Sequence, residues 1–123
     1  MAETEKITIN VDVVDLGKID VLVDQGFYST RTDCIKSAIR NELAKHDQIV
    51  TQYAVKKTYT FGITKLSKEE LEQVVAAQTK LDVKVIGMLV VDEDVEPELM
   101  KRSVQSLKVH GVFKASPKIK SLY

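Results

Sequence analysis

The 123-residue chain reads as an α+β protein in two parts: a lone amino-terminal strand with two helices, then a small α/β domain ordered strand, helix, strand, helix, strand. Three observations predict this. The stretch KITINVD alternates polar Lys6, Thr8, Asn10 and Asp12 with apolar Ile7, Ile9 and Val11, the period of a strand with one buried face. Between residues 14 and 46 the apolar positions recur instead at three and four, the spacing of helices. Beyond Lys57, alternating and continuous apolar runs are separated by helix-start signals.

The first strand has no hairpin turn after it, so its backbone N–H and C=O groups must find partners elsewhere. A helix follows over Val14–Gln25, where Leu16, Ile19, Leu22 and Val23 form one stripe and Gly26 suits the left-handed residue that ends a helix. The next helix is expected over Asp33–His46, with Thr32 as N-cap, Asp33 favouring the helix dipole, and Ile35, Ala38, Ile39 and Leu43 as its apolar face. DQIVTQYAVKK reads as a helical extension or linker. KTYTFGIT alternates Tyr59, Phe61 and Ile63 with Thr58, Thr60 and Gly62 as a strand. LSKEELEQVV opens a helix with Ser67 as N-cap, Glu70 closing a capping box, and Leu66 and Leu71 as a staple. DVKVIGMLVV is a buried strand, EPELMKRSVQSL a helix with Pro97 in its first turn, and KVHGVFKA a last strand. Helices joining strands favour parallel neighbours and right-handed crossovers.

Composition narrows the function classes. The formal net charge is zero, which neither requires nor excludes a nucleic-acid partner. MAETEK is acidic with no apolar run behind it, and VIGMLVV is far shorter than the roughly 20 residues a membrane-spanning helix needs. The single cysteine, Cys34, has no internal partner for a disulfide, and a cytoplasmic protein is expected. Cys34 is expected in the core, and neither His46 nor His110 has a partner at ligand spacing, so no metal, cofactor or catalytic site is expected.

Ile19-Asp20, Leu22-Val23, Gly26, Tyr28, Arg31, Thr32, Asp33 and Ile35-Lys36 stand where the ribbon-helix-helix family of DNA-binding dimers places its characteristic residues, and residues 5–46 resemble that module. The resemblance implies that two chains pair their amino-terminal strands antiparallel and lay the ribbon in the major groove of a palindromic operator. The dimer core it implies is Ile7, Ile9, Val11, Leu22, Ile35 and Ile39. Strand parity then turns Lys6, Thr8 and Asn10 toward the base edges, where Lys can donate to guanine, Thr can touch a thymine methyl and Asn can pair with adenine. Phosphate is expected at the start of the second helix, on the Thr32 hydroxyl, the backbone N–H groups of Asp33 and Cys34, and the Arg31 side chain. Residues 1–46 carry six Lys or Arg against eight acids, so binding should depend steeply on salt or on cooperative assembly.

The expected organisation is therefore a DNA-binding module over 1–46, a linker or helix extension over 47–55, an α/β domain over 56–115, and a mobile basic tail over 116–123. Three strands with two helices leave one sheet face bare, so residues 56–115 are expected to join dimers into higher oligomers or to bind an effector or protein partner. Their layout is loosely similar to the regulatory domain of nickel-responsive ribbon-helix-helix repressors, one strand short and without the His and Cys cluster, so no nickel is expected. In DEDVEPE, counting from Asp92 puts Pro97 where a calcium loop has Gly and Ser103 where it has Glu, which reads as a solvated loop. The leading function is a sequence-specific transcriptional regulator. Two alternatives are an antitoxin whose carboxy-terminal half inhibits a toxin, and an assembly protein that uses the ribbon only to dimerise.

Overall fold

In the computed structural model, which describes residues 4–123, α1 (Val13–Asp24) and α2 (Arg31–Lys45) come first, and α3 (Asp47–Lys57) follows after His46. Then come β1 (Thr60–Leu66), α4 (Lys68–Ala76), β2 (Leu81–Val91), α5 (Pro97–Ser103), β3 (Val104–Lys114) and α6 (Pro117–Lys120). The chain divides into two compact units within α3, the first ending at Gln52 and the second running Tyr53–Tyr123.

In the first unit, α1 starts one residue earlier than its apolar stripe suggests, because the Asp12 carboxylate accepts the Val14 N–H at 2.8 Å and caps it. It ends as expected. Gly26 takes φ +85°, and the Phe27 N–H reaches the Leu22 carbonyl at 3.0 Å, the 6→1 bond of a Schellman stop.

The second unit is a parallel sheet in the order β1-β2-β3, with α4 and α5 as the crossovers. Ser67 caps α4 by accepting the Glu70 N–H at 3.3 Å. Leu66, Val83, Val85, Leu89 and Val91 point from one sheet face onto Leu71 of α4 and Met100 of α5, forming the core. Two expectations change. The helix begun at Pro97 stops at Ser103, and the last strand starts at Val104, four residues before KVHGVFKA; Val104 and Leu107 satisfy helical spacing, but parallel pairing beside Leu81–Val83 wins. The tail is also tied down. Ser116 caps α6 and Pro117 opens it, and fully buried Ile119 joins the core, so apolar burial overrides the basic composition that suggested a mobile end.

One row crosses all three strands in register: Gly62, Gly87 and Gly111, at φ +113°, +138° and +124°. Each backbone leans on its neighbour so closely that a Cβ on Gly87 would lie 2.2 Å from the Gly62 carbonyl oxygen, and one on Gly111 2.0 Å from that of Gly87. Side-chain alternation continues through the row, since Val85 and Leu89 lie on the same face.

Candidate nucleic-acid interface

The residues read as DNA-facing begin the chain. Residues 4–12 carry no regular secondary structure, and the strands of the described residues all belong to the second unit, so KITINVD has no ladder partner among the described residues of one chain. Lys6, Thr8 and Asn10 are exposed, and so are the isoleucines between them, Ile7 at 71% and Ile9 at 62%. A sequence that alternates so strictly and yet leaves its apolar half in water lacks the surface it was patterned for.

The helices behind it share that deficit. Among the described residues up to Gln52, Cys34 is the one buried side chain, as its small apolar character suggested. Leu16, Ile19, Val23 and Ile35 are half-buried, whereas Val11, Leu22 and Ile39, expected in the dimer core, are exposed together with Leu43. About fifty residues with a single fully covered side chain cannot offset the entropy of their own folding, so this unit needs further apolar surface to pack against.

The start of α2 differs from the sequence reading by two residues. Thr30 is the N-cap, its hydroxyl accepting the Asp33 N–H at 3.0 Å, and Thr32 lies inside the first turn. The Asp33 carboxylate reaches back to the Ser29 N–H at 3.1 Å and the Ser29 hydroxyl at 3.2 Å, which holds the cap in extended geometry. The Cys34 N–H donates to the Thr30 carbonyl at 3.1 Å. The expected phosphate donors Asp33 N–H and Cys34 N–H are thus engaged within the turn. The first two N–H groups of the helix, those of Arg31 and Thr32, take no part in these bonds, and the Thr32 side chain is exposed beside them. Thr30→Ala should therefore lower stability by about 1 kcal/mol, whereas Thr32→Ala should stay within about 0.5 kcal/mol of wild type. Urea melts of the two variants compare them directly, and equal losses would return the cap to Thr32.

Arg31, expected on a phosphate, is committed elsewhere. Its Nε meets Asp20 Oδ1 at 2.7 Å and its terminal nitrogen meets Oδ2 at 2.8 Å, a two-pronged pair that ties the start of α2 to α1. The hydrogen bond from Arg31, with its charge, holds the Asp20 carboxyl below the usual carboxylate range, and Asp20 in turn raises the guanidinium. Both residues had been matched to the family pattern separately; their eleven-residue separation gives no sign in the sequence that they are partners.

Among the described residues, no three His, Cys, Asp or Glu side chains gather in a metal-binding group, and no helix is long and apolar enough to cross a membrane. A family model described as the Ribbon-Helix-Helix transcriptional regulator family matches residues 2–120, and so takes in both units rather than the first alone. No curated protein and no solved structure matches the chain.

Proposed function

Since the chain belongs to the ribbon-helix-helix transcriptional regulator family, we propose that it regulates transcription as a homodimer whose two Lys6–Asp12 segments pair into an antiparallel ribbon lying in the major groove of a palindromic operator. The observation that carries this reading is the unpaired, strictly alternating segment with Ile7 and Ile9 in water. A second copy would satisfy its backbone and cover Ile7, Ile9, Val11, Leu22, Ile35 and Ile39 in one step. Lys6, Thr8 and Asn10 then contact base edges, and a phosphate rests on the Arg31 and Thr32 N–H groups, with the positive end of α2 behind them. Arg31 acts mainly through Asp20, holding that helix start in place. The second unit serves regulation, as the part that meets other molecules.

The test is fluorescence anisotropy on DNA from upstream of the protein's own gene, at two salt concentrations, with wild type and Thr8→Ala/Asn10→Ala. Wild type should prefer this DNA to random duplex and weaken steeply with salt; the double variant should remain folded and lose at least about 30-fold in affinity, since each of the two base contacts contributes about 1–3 kcal/mol of discrimination. Equal binding by both proteins would reduce the ribbon to a dimer seam.

A further inference from the structure

In the second unit, α4, α5 and α6 contribute to the core on one face of the sheet; on the other, Tyr53 of α3 and Tyr59 lie against His110 of β3, with ring centroids 6.0 and 5.2 Å from it, and the rest of that face is open around Phe61 and Ile63. Parity and register place Phe61 and Ile63 of β1 on that open face, beside Met88 of β2 and Val112 of β3. Phe61 is 55% exposed and Ile63 56%, so the apolar strip has a free side.

Both ends of the strip are basic. Lys84 and Lys108 are direct cross-strand neighbours at one end, and Lys65 and Lys114 flank Val90 at the other. Like charges opposed in a ladder are unfavourable, and none of these four lysines forms a salt bridge among the described residues. The face has one carboxylate, Asp82, which accepts the Ser106 hydroxyl at 2.7 Å. Acids concentrate instead in the helical segments: residues 68–80 and 92–103 hold eight acids to four bases.

This charge division decides what can cover the strip. In a two-fold, face-to-face pairing of two copies, an axis along the strands sets Lys84 and Lys108 against their own counterparts, and an axis across the strands sets them against Lys65 and Lys114. Bases meet bases either way. A DNA backbone would satisfy the lysines but leave the apolar strip against phosphates and water.

We propose that the open sheet face docks an acidic amphipathic helix of a partner protein. Its apolar stripe lies on the exposed Phe61 and Ile63, and carboxylates at its two ends meet the lysine pairs. The pairs are six residues apart along β2 and β3, about 20 Å at about 3.3 Å per residue, which a helix of about 13 residues spans.

The probes are two fluorescein-labelled 14-residue helical peptides with the same leucine stripe, one flanked by glutamates and one by lysines, titrated against the full chain. The glutamate peptide should bind at least about tenfold more tightly than the lysine peptide. Lys84→Glu/Lys108→Glu should abolish that preference while circular dichroism and Tm stay near wild type, and Phe61→Ser/Ile63→Ser should weaken both peptides. Failure of the glutamate peptide to bind, equal binding of the two peptides, or unchanged preference in the charge-reversed variant overturns the proposal. So does displacement of bound peptide by random-sequence duplex. Sedimentation showing that Phe61→Glu dissociates a larger assembly of this chain would assign the face to a second copy instead.

Discussion

Gly87→Ala should unfold the second unit at a temperature at least about 10 °C below wild type, an effect far larger than one methyl group normally has on a strand. Two causes act together. At φ +138° an L-residue is strained by about 1–3 kcal/mol, and the new Cβ would lie 2.2 Å from the Gly62 carbonyl oxygen, a backbone atom that can retreat only by breaking the ladder. A combined loss of about 3 kcal/mol corresponds to roughly 12–24 °C for a unit of this size. The glycine row supplies its own control. A Cβ on Gly62 meets nothing within 4 Å, so Gly62→Ala carries only the conformational strain of φ +113°. Thermal melts should rank Gly87→Ala and Gly111→Ala well below Gly62→Ala, and three equal melting temperatures would show that the sheet shifts to absorb the added methyl group.

Ile9→Asp should abolish both dimerisation and operator binding. In one chain Ile9 is 62% exposed, so the substitution costs little within the monomer; in the proposed ribbon dimer it would bury a carboxylate and remove an apolar side chain, a loss of roughly 3–5 kcal/mol for each copy. Two such losses exceed what a small dimer interface can absorb. Because Cys34 is the one buried side chain in the described part of the first unit, that unit should lose helicity along with its partner. Sedimentation equilibrium should give the monomer mass, and anisotropy should show at least a 100-fold loss on operator DNA. Lys6→Ala, on the opposite face of the same segment, should weaken binding while the dimer persists. A dimeric Ile9→Asp protein would place the seam elsewhere.

Local signals in the sequence were legible wherever one residue type has one physical use. Gly26 ends α1 because a left-handed residue was required, Ser67 caps α4, and the alternation of Phe61 and Ile63 with Thr60 and Gly62 places those two apolar side chains on one face of β1. Choice among equivalents was not legible. Ser29, Thr30 and Thr32 all offer a capping hydroxyl, and the one used depends on Asp33 reaching back to Ser29. The segment from Val104 to Leu107 satisfies a helix and a strand alike, and pairing with β2 decides between them. Ser116 and Pro117 did carry a helix-start signature, but four residues of helix give too short a pattern to reveal that Ile119 is buried. The Arg31–Asp20 pair and the glycine row are tertiary facts: each residue is visible alone, and only folding makes them neighbours.

The chain's one sulfhydryl is also the one covered side chain among the described residues of its first unit, which gives the molecule an internal clock. A thiol reagent can reach Cys34 only when the helices around it part, so the rate of its consumption counts those partings. Operator DNA that binds the closed form alone must slow that count in proportion to its occupancy, without touching the sulfur or requiring a label.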